Sequence, residues 1–280
     1  MQKLYFELLG YENRNIKIDL RHQKYHRKVP IIILLHGFKS FRNWGFIPYA
    51  SEMFSKDSIS INLDFSWNGI KDDKKMIYDV DIFAKNTISS MLYDTNVVIN
   101  SINNNKINQI TNILDELWNG EIILFGHSLG GAIAVNTSLK YKNIRKLILW
   151  AAISKYFRNS KKQEQEWKEK GKMNFKEQIT GQELHLNYSY LEDKENNAEQ
   201  FHILNNIKQV NIDTLIVHGK QDITVSPKEA EALFKHSGSD EKILNLIKGC
   251  GHTFGVSHPY NKKKKQLENA LEISQWFINK

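Results

Sequence analysis

The chain is nearly devoid of cysteine. Its single one, Cys250, rules out an intrachain disulfide and fits a reducing compartment. A long apolar run is also missing. The longest uninterrupted aliphatic stretch, "IIILL" at 31–35, is far too short to cross a bilayer. The N-terminal "MQKLYFELLGYENRN" lacks a secretory h-region, because Glu7 breaks the run and no small-residue cleavage site follows. These absences predict a soluble, cytoplasmic protein without a membrane partner. No helix-turn-helix, RNA-recognition or zinc-finger pattern accompanies the formal net charge of +8, and the lysines are scattered apart from the run Lys262 to Lys265. A coding bias toward Lys, Ile and Asn accounts for that charge, so no nucleic-acid partner is expected. No His and Cys cluster has metal-ligand spacing, and no metal or other cofactor is expected. No pattern in the chain specifies an oligomeric state.

What is present is an ordinary globular composition. Hydrophobic residues are 41% and charged residues 25% of 280, enough for one large domain or one domain with an inserted lid. "LYFELL" (4–9) and "NIKIDL" (15–20) flank "GYEN" and predict an antiparallel hairpin. Six short apolar runs follow, at 29–36, 58–65, 121–126, 144–152, 213–219 and 241–247. They are apolar on both faces and bounded by Gly, Pro or polar residues, as buried parallel strands are. Helical spacing of apolar residues occupies 42–56, 81–104, 129–141, 227–237 and 266–279, and 105–119 is also assigned to helix. Ser226 and Pro227 form a helix start. Alternating strand and helix predicts an α/β fold with a mostly parallel central sheet flanked by helices.

Residues 154–208 break this rhythm, being too long for a crossover helix. They read as a charged helix, a two-stranded piece turning at Thr180-Gly181, and a closing helix in "AEQFHILNNI". The expected division is a core of 1–153 and 209–280 with a lid at 154–208. The lid's aromatics, Tyr156, Phe157, Trp167, Phe175, Tyr188, Tyr190 and Phe201, suit an apolar or aromatic ligand group or a small core of their own.

The chemistry centres on Gly126-His127-Ser128-Leu129-Gly130, between a strand and a helix. A sharp turn there strains the serine backbone, and side chains two positions either side would collide, so Gly126 and Gly130 are required. A serine nucleophile needs a base, and the base an orienting acid. "LIVHGKQDITV" places Asp222 after a late strand, and "LNLIKGCGHTF" places His252 after the final one. Loops at the carboxyl ends of parallel strands are where open α/β sheets react. His127, His218 and His258 are the rival bases; Asp213 and Asp240 lie at the wrong end of the sheet. An oxyanion hole is expected from the amides of Leu129 and of Phe38, in the "LLHGFKSFRNWGF" loop. Trp44, Trp67, Tyr156 and Tyr188 are candidate substrate contacts. Cys250 reads as loop packing.

Together, HGF at 36–38, GHSLG at 126–130, HGKQD at 218–222 and GCGH at 249–252 resemble the α/β-hydrolase superfamily along nearly the whole chain. The resemblance looks closest to small cinnamoyl/feruloyl-esterase-like and dienelactone-hydrolase-like serine esterases. It implies a carboxylic ester hydrolase acting on small-molecule esters, with Ser128 as nucleophile, His252 as base then acid, and Asp222 as the orienting acid. The loop "DFSWNGIK" departs from the G-H-G-x-S type of many relatives, so the resemblance carries no acyl or alcohol identity. A thioesterase, acyltransferase or small peptidase would use the same triad, and a non-enzymatic ligand-binding scaffold would keep the fold.

Overall fold

The computed structural model describes residues 1–156 and 159–280. Strands β1 (Gln2–Leu9) and β2 (Asn15–His22) form the N-terminal hairpin, with Phe6 opposite Ile18 and Leu8 opposite Ile16. β3 (Val29–Leu35), α1 (Ile47–Phe54) and β4 (Ile59–Asp64) follow. Next come a short hairpin, β5 (Ile70–Asp72) and β6 (Ile77–Tyr78), and helices α2 (Val80–Ala84), α3 (Ile88–Asn103) and α4 (Thr111–Leu117). β7 (Trp118–His127), α5 (Leu129–Ser138) and β8 (Ile144–Trp150) complete the first part of the core.

Between β8 and the next core strand lie α6 (Lys161–Lys170), β9 (Lys172–Lys176), β10 (Glu183–Asn187), α7 (Ser189–Asn196) and α8 (Ile203–Ile207). β9 and β10 pair only with each other, antiparallel, with Gly181 at φ +73° in their turn. The chain ends with β11 (Asp213–Gly219), α9 (Pro227–His236), β12 (Lys242–Ile247) and α10 (Lys265–Asn279).

Eight strands form one sheet in the order β1-β2-β4-β3-β7-β8-β11-β12. Only β2 runs against its neighbours; from β4 to β12 every pairing is parallel. The unbroken "IIILL" run now has a cause. Ile31, Ile33 and Leu35 face a core shared with α3, α5 and α9, while Ile32 and Leu34 face one shared with α1 and α10. Both faces are covered, so no polar alternation is needed. Among the described residues, no helix is long and apolar enough to cross a membrane.

Several expected elements are differently bounded. The helix expected over 42–56 occupies only 47–54, since turns at Trp44 and Ile47 and Gly45 at φ +46° fill the preceding loop. The 81–104 helix divides after Ala84. Thr87 caps the second part reciprocally, its side chain accepting from the Ser90 amide while the Ser90 hydroxyl accepts from its own amide, both at 3.1 Å. Residues 118–119 of the 105–119 helix belong instead to β7. The closing helix of the insertion shortens to α8, and α7 was not expected at all.

Candidate active site

The turn between β7 and α5 holds Ser128 at φ 55°, ψ −118°, a backbone region that side chains disfavour. The surroundings over-determine it. The Ser128 amide donates to the Trp150 carbonyl at 2.9 Å, and its own carbonyl accepts from Gly131 at 3.0 Å. A Cβ on Gly126 would sit 2.4 Å from the Gly130 carbonyl oxygen, and one on Gly130 would sit 2.2 Å from that of Leu35. Gly131 is a third obligatory glycine that the five-residue motif does not include. A Cβ there would lie 2.4 Å from the Ala152 Cβ.

The Ser128 hydroxyl lies 3.1 Å from His252 Nε2, and His252 Nδ1 lies 2.8 Å from Asp222 Oδ2. With Nδ1–H donating to the carboxylate, Nε2 is left to accept from the serine. Asp222 is buried, and its other oxygen accepts the amides of Thr224 and Val225 at 2.8 Å each. Burial alone would push its carboxyl up. Hydrogen bonds from His218 and His252 outweigh that and hold it well below the usual carboxylate range. The loops carrying Asp222 and His252 are stitched together: the Gln221 amide donates to the Cys250 carbonyl at 2.9 Å, and Gln221 Oε1 accepts the Gly249 amide at 2.6 Å.

Two further histidines complete this surround. His218 Nε2 donates to the Val225 carbonyl at 2.9 Å and lies 3.2 Å from Asp222 Oδ2. His218, a rival base by sequence, instead supports Asp222, and its i,i+4 spacing to that residue is the signal of this role in the sequence. His127 Nε2 donates to the His252 carbonyl at 3.0 Å. Burial, and then the neighbouring His252, lower the His127 imidazole to about 3, so it stays neutral and braces the His252 loop. His258 joins the Gly45 amide to the Asp73 carbonyl and stacks on Trp44. Cys250 is fully buried, and burial pushes its thiol up to about 11, with the Asp222 charge adding to the shift.

Beside the serine runs the loop after β3. Gly37 approaches so closely that a Cβ there would meet the Ser128 Cβ at 3.0 Å. The His36 ring is buried, and its Nδ1 donates to the Gly37 carbonyl at 2.9 Å. That carbonyl shares a planar trans peptide with the Phe38 amide, so fixing the oxygen fixes the direction of the N–H.

Two lobes of a cleft meet at Phe38, Ser128 and Thr224. One, about 250 Å³, is bounded by His252, Thr253, Trp44, Met76 and Ile179. The other, about 290 Å³, is bounded by Leu129, Ile153, Tyr156, Met173, Leu186 and Tyr190. Of the expected substrate contacts, Trp44 and Tyr156 line these lobes. Trp67 does not: it packs between the Arg14 guanidinium, 4.6 Å from the ring, and the Lys85 ammonium at 5.5 Å. Tyr188 also lies outside both lobes, with its hydroxyl 3.5 Å from Glu195. Among the insertion aromatics, Trp167 stacks on Tyr190 and Phe201 packs on Tyr156, while Phe175 touches Phe38 and Phe83. Phe157 lies outside the described residues.

No protein-family model matches the chain, and no curated protein matches it in sequence. Solved structures do match. Est1E from Butyrivibrio proteoclasticus, in a structure with ferulic acid bound, is 19% identical with a TM-score of 0.69, over 99% of this chain and 98% of that one. Alpha/beta hydrolase domain-containing protein 10 from mouse is 19% identical, with a TM-score of 0.69 over 99% and 98%. A soluble variant of monoglyceride lipase from Saccharomyces cerevisiae, in complex with a substrate analogue, is 12% identical with a TM-score of 0.71 over 100% and 95%. The chain has the α/β-hydrolase fold.

Proposed function

We infer that this α/β-hydrolase-fold chain is a serine hydrolase that cleaves carboxylic esters of small molecules through an acyl-enzyme intermediate. The observation that carries the reading is the unbroken hydrogen-bond path Ser128–His252–Asp222 opening into the two-lobed cleft. His252 Nε2 takes the hydroxyl proton as Ser128 Oγ attacks the ester carbonyl. The resulting oxyanion rests on the amides of Phe38 and Leu129, the latter opening α5 where the helix dipole adds to the donor. Losing one such donor costs on the order of 3 kcal/mol in the barrier. The alcohol departs with the proton from His252, and water then repeats the sequence on the acyl-enzyme.

The direction of substrate binding follows from the proton. The leaving oxygen must lie beside His252, which borders only the 250 Å³ lobe. That lobe takes the alcohol, and the more apolar 290 Å³ lobe takes the acyl group. An apolar cavity of about 150 Å³ holds a benzene ring. The acyl lobe therefore suits one ring with an arm, or an aliphatic chain of comparable volume. Segment 154–208 acts as the roof over a core of 1–153 and 209–280, supplying Met173, Leu186 and Tyr190 to the acyl lobe. Ferulic acid, one ring with an unsaturated arm, is bound in the Est1E structure and is consistent with a ligand of this size.

The test uses a fluorophosphonate probe and a panel of p-nitrophenyl esters. Wild type should label and turn over at least one ester, and Ser128→Ala should do neither. Absence of both in wild type, or equal labelling of Ser128→Ala, defeats the reading.

A further inference from the structure

The insertion does more than wall the acyl lobe. Its β9–β10 turn reaches across the cleft to the loop that carries Phe38, and a closed ring of polar contacts results. Glu177, only 4% exposed, places its Oε2 2.9 Å from the ammonium of Lys39, the residue after Phe38. Lys39 itself has φ +52°, a left-handed backbone that needs external support. From the other side, the Tyr78 hydroxyl donates to the Lys39 carbonyl at 2.8 Å. The Tyr78 backbone is held in turn by the insertion: its amide donates to Gln182 Oε1 at 2.9 Å, and its carbonyl accepts from Gln182 Nε2 at 2.7 Å. The ring closes within the turn, where the Glu177 amide donates to the Gln182 carbonyl at 2.8 Å. Phe175 of β9 packs on the Phe38 ring, with centroids 5.4 Å apart.

We propose that Glu177 and Tyr78 are positioning residues for ester hydrolysis, holding Lys39, and through it the Phe38 amide, in the oxyanion-binding orientation. The proposal rests on the serine-hydrolase reading above. It gives the insertion a part in transition-state stabilisation, separate from covering the cleft. Neither residue touches the reacting atoms. Tyr78 borders neither lobe, so its loss should change the ground-state fit of an ester little while the tetrahedral state loses a well-aimed donor; Glu177 also borders the 250 Å³ lobe, so its loss changes KM as well as the loop.

The experiment compares wild type, Glu177→Gln and Tyr78→Phe on the best p-nitrophenyl ester, with 2,2,2-trifluoroacetophenone as a probe that forms a tetrahedral adduct on the serine. Each variant should lose about 10-fold or more in kcat, a fraction of the 10²–10³ lost when an oxyanion donor is deleted outright, and Tyr78→Phe should keep KM within about two-fold. The inhibition constant of the ketone should rise by the factor by which kcat falls. An unchanged kcat, or a raised KM with ketone inhibition intact, overturns the proposal. Tyr78→Phe removes a single hydroxyl and keeps the ring, so it decides the matter even if Glu177→Gln does not fold. Wild type that turns over no ester would instead overturn the hydrolase reading itself.

Discussion

Asp222→Asn exchanges one oxygen for an NH2 group, and the surroundings dictate which one. Both the Thr224 and Val225 amides donate to Oδ1 at 2.8 Å, so the asparagine oxygen must take that place. The NH2 group then occupies the Oδ2 position, 2.8 Å from His252 Nδ1 and 3.2 Å from His218 Nε2. A donor now faces His252 Nδ1, and the ring relieves the conflict by moving its proton to Nε2. In that tautomer Nε2 cannot accept the Ser128 proton. An acid-to-amide exchange of this kind lowers kcat by about 10⁴ in a serine protease, equivalent to about 5 kcal/mol of barrier. His218 loses its favourable neighbour as well, which should cost about 1–3 kcal/mol of stability and leave the fold intact. The assay is steady-state p-nitrophenol release, with circular dichroism to verify folding. A folded Asp222→Asn protein within tenfold of wild type would refute the assigned tautomer and the role of the acid.

Further outcomes follow from other sites. Gly130→Ala forces a Cβ to 2.2 Å from the Leu35 carbonyl oxygen and should lower unfolding free energy by about 3 kcal/mol, read by urea titration, with activity falling as the turn at Ser128 shifts. Asp94 is wholly buried, and burial pushes its carboxyl up to about 6 against the pull of the Tyr11 and Ser66 amides. The folded state therefore binds more protons than the unfolded one between about pH 4 and 6, so Asp94 should add stability as pH falls through that window, by at most about 3 kcal/mol. The difference between wild type and Asp94→Asn in urea titrations at pH 7 and pH 5 isolates this contribution; an equal pH slope in the two proteins would contradict it. Cys250, buried with its thiol raised to about 11, should resist N-ethylmaleimide in the folded protein at pH 8 and react fully in guanidinium, as followed by mass spectrometry.

Features set by local physics are the most legible in the sequence. The need for glycine at 126 and 130 comes from neighbours two residues away, and continuous apolar runs mark strands covered on both faces. Sheet topology limits which loops can reach Ser128, and Asp222 and His252 lie on two that do. Features set by distant contacts are not legible in the sequence. Trp67 and Tyr188 are aromatic residues in plausible places, but nothing in loop sequence says which way a ring points. Trp67 is drawn off by Arg14, 53 positions away (67 − 14), and Lys85. The break at Thr87 depends on a reciprocal cap that competes with helix continuation. α7 is tied to the core by Asp193, which accepts from the amide and hydroxyl of Ser89 on α3, a partner 104 positions away. Gly131 and His218 had readable spacing, yet their roles require knowing that Ala152 and Asp222 lie alongside.

The strained backbone at Ser128 has an evolutionary consequence. A residue held at φ 55°, ψ −118° costs about 1–3 kcal/mol, and glycine would occupy that place without the penalty. Ser128→Gly relieves that strain, offset in part by glycine's greater backbone freedom in the unfolded chain. On the hydrolase reading, a lineage released from selection on the chemistry would shed strain by discarding the serine. On the hydrolase reading proposed above, stability and reactivity pull in opposite directions at Ser128.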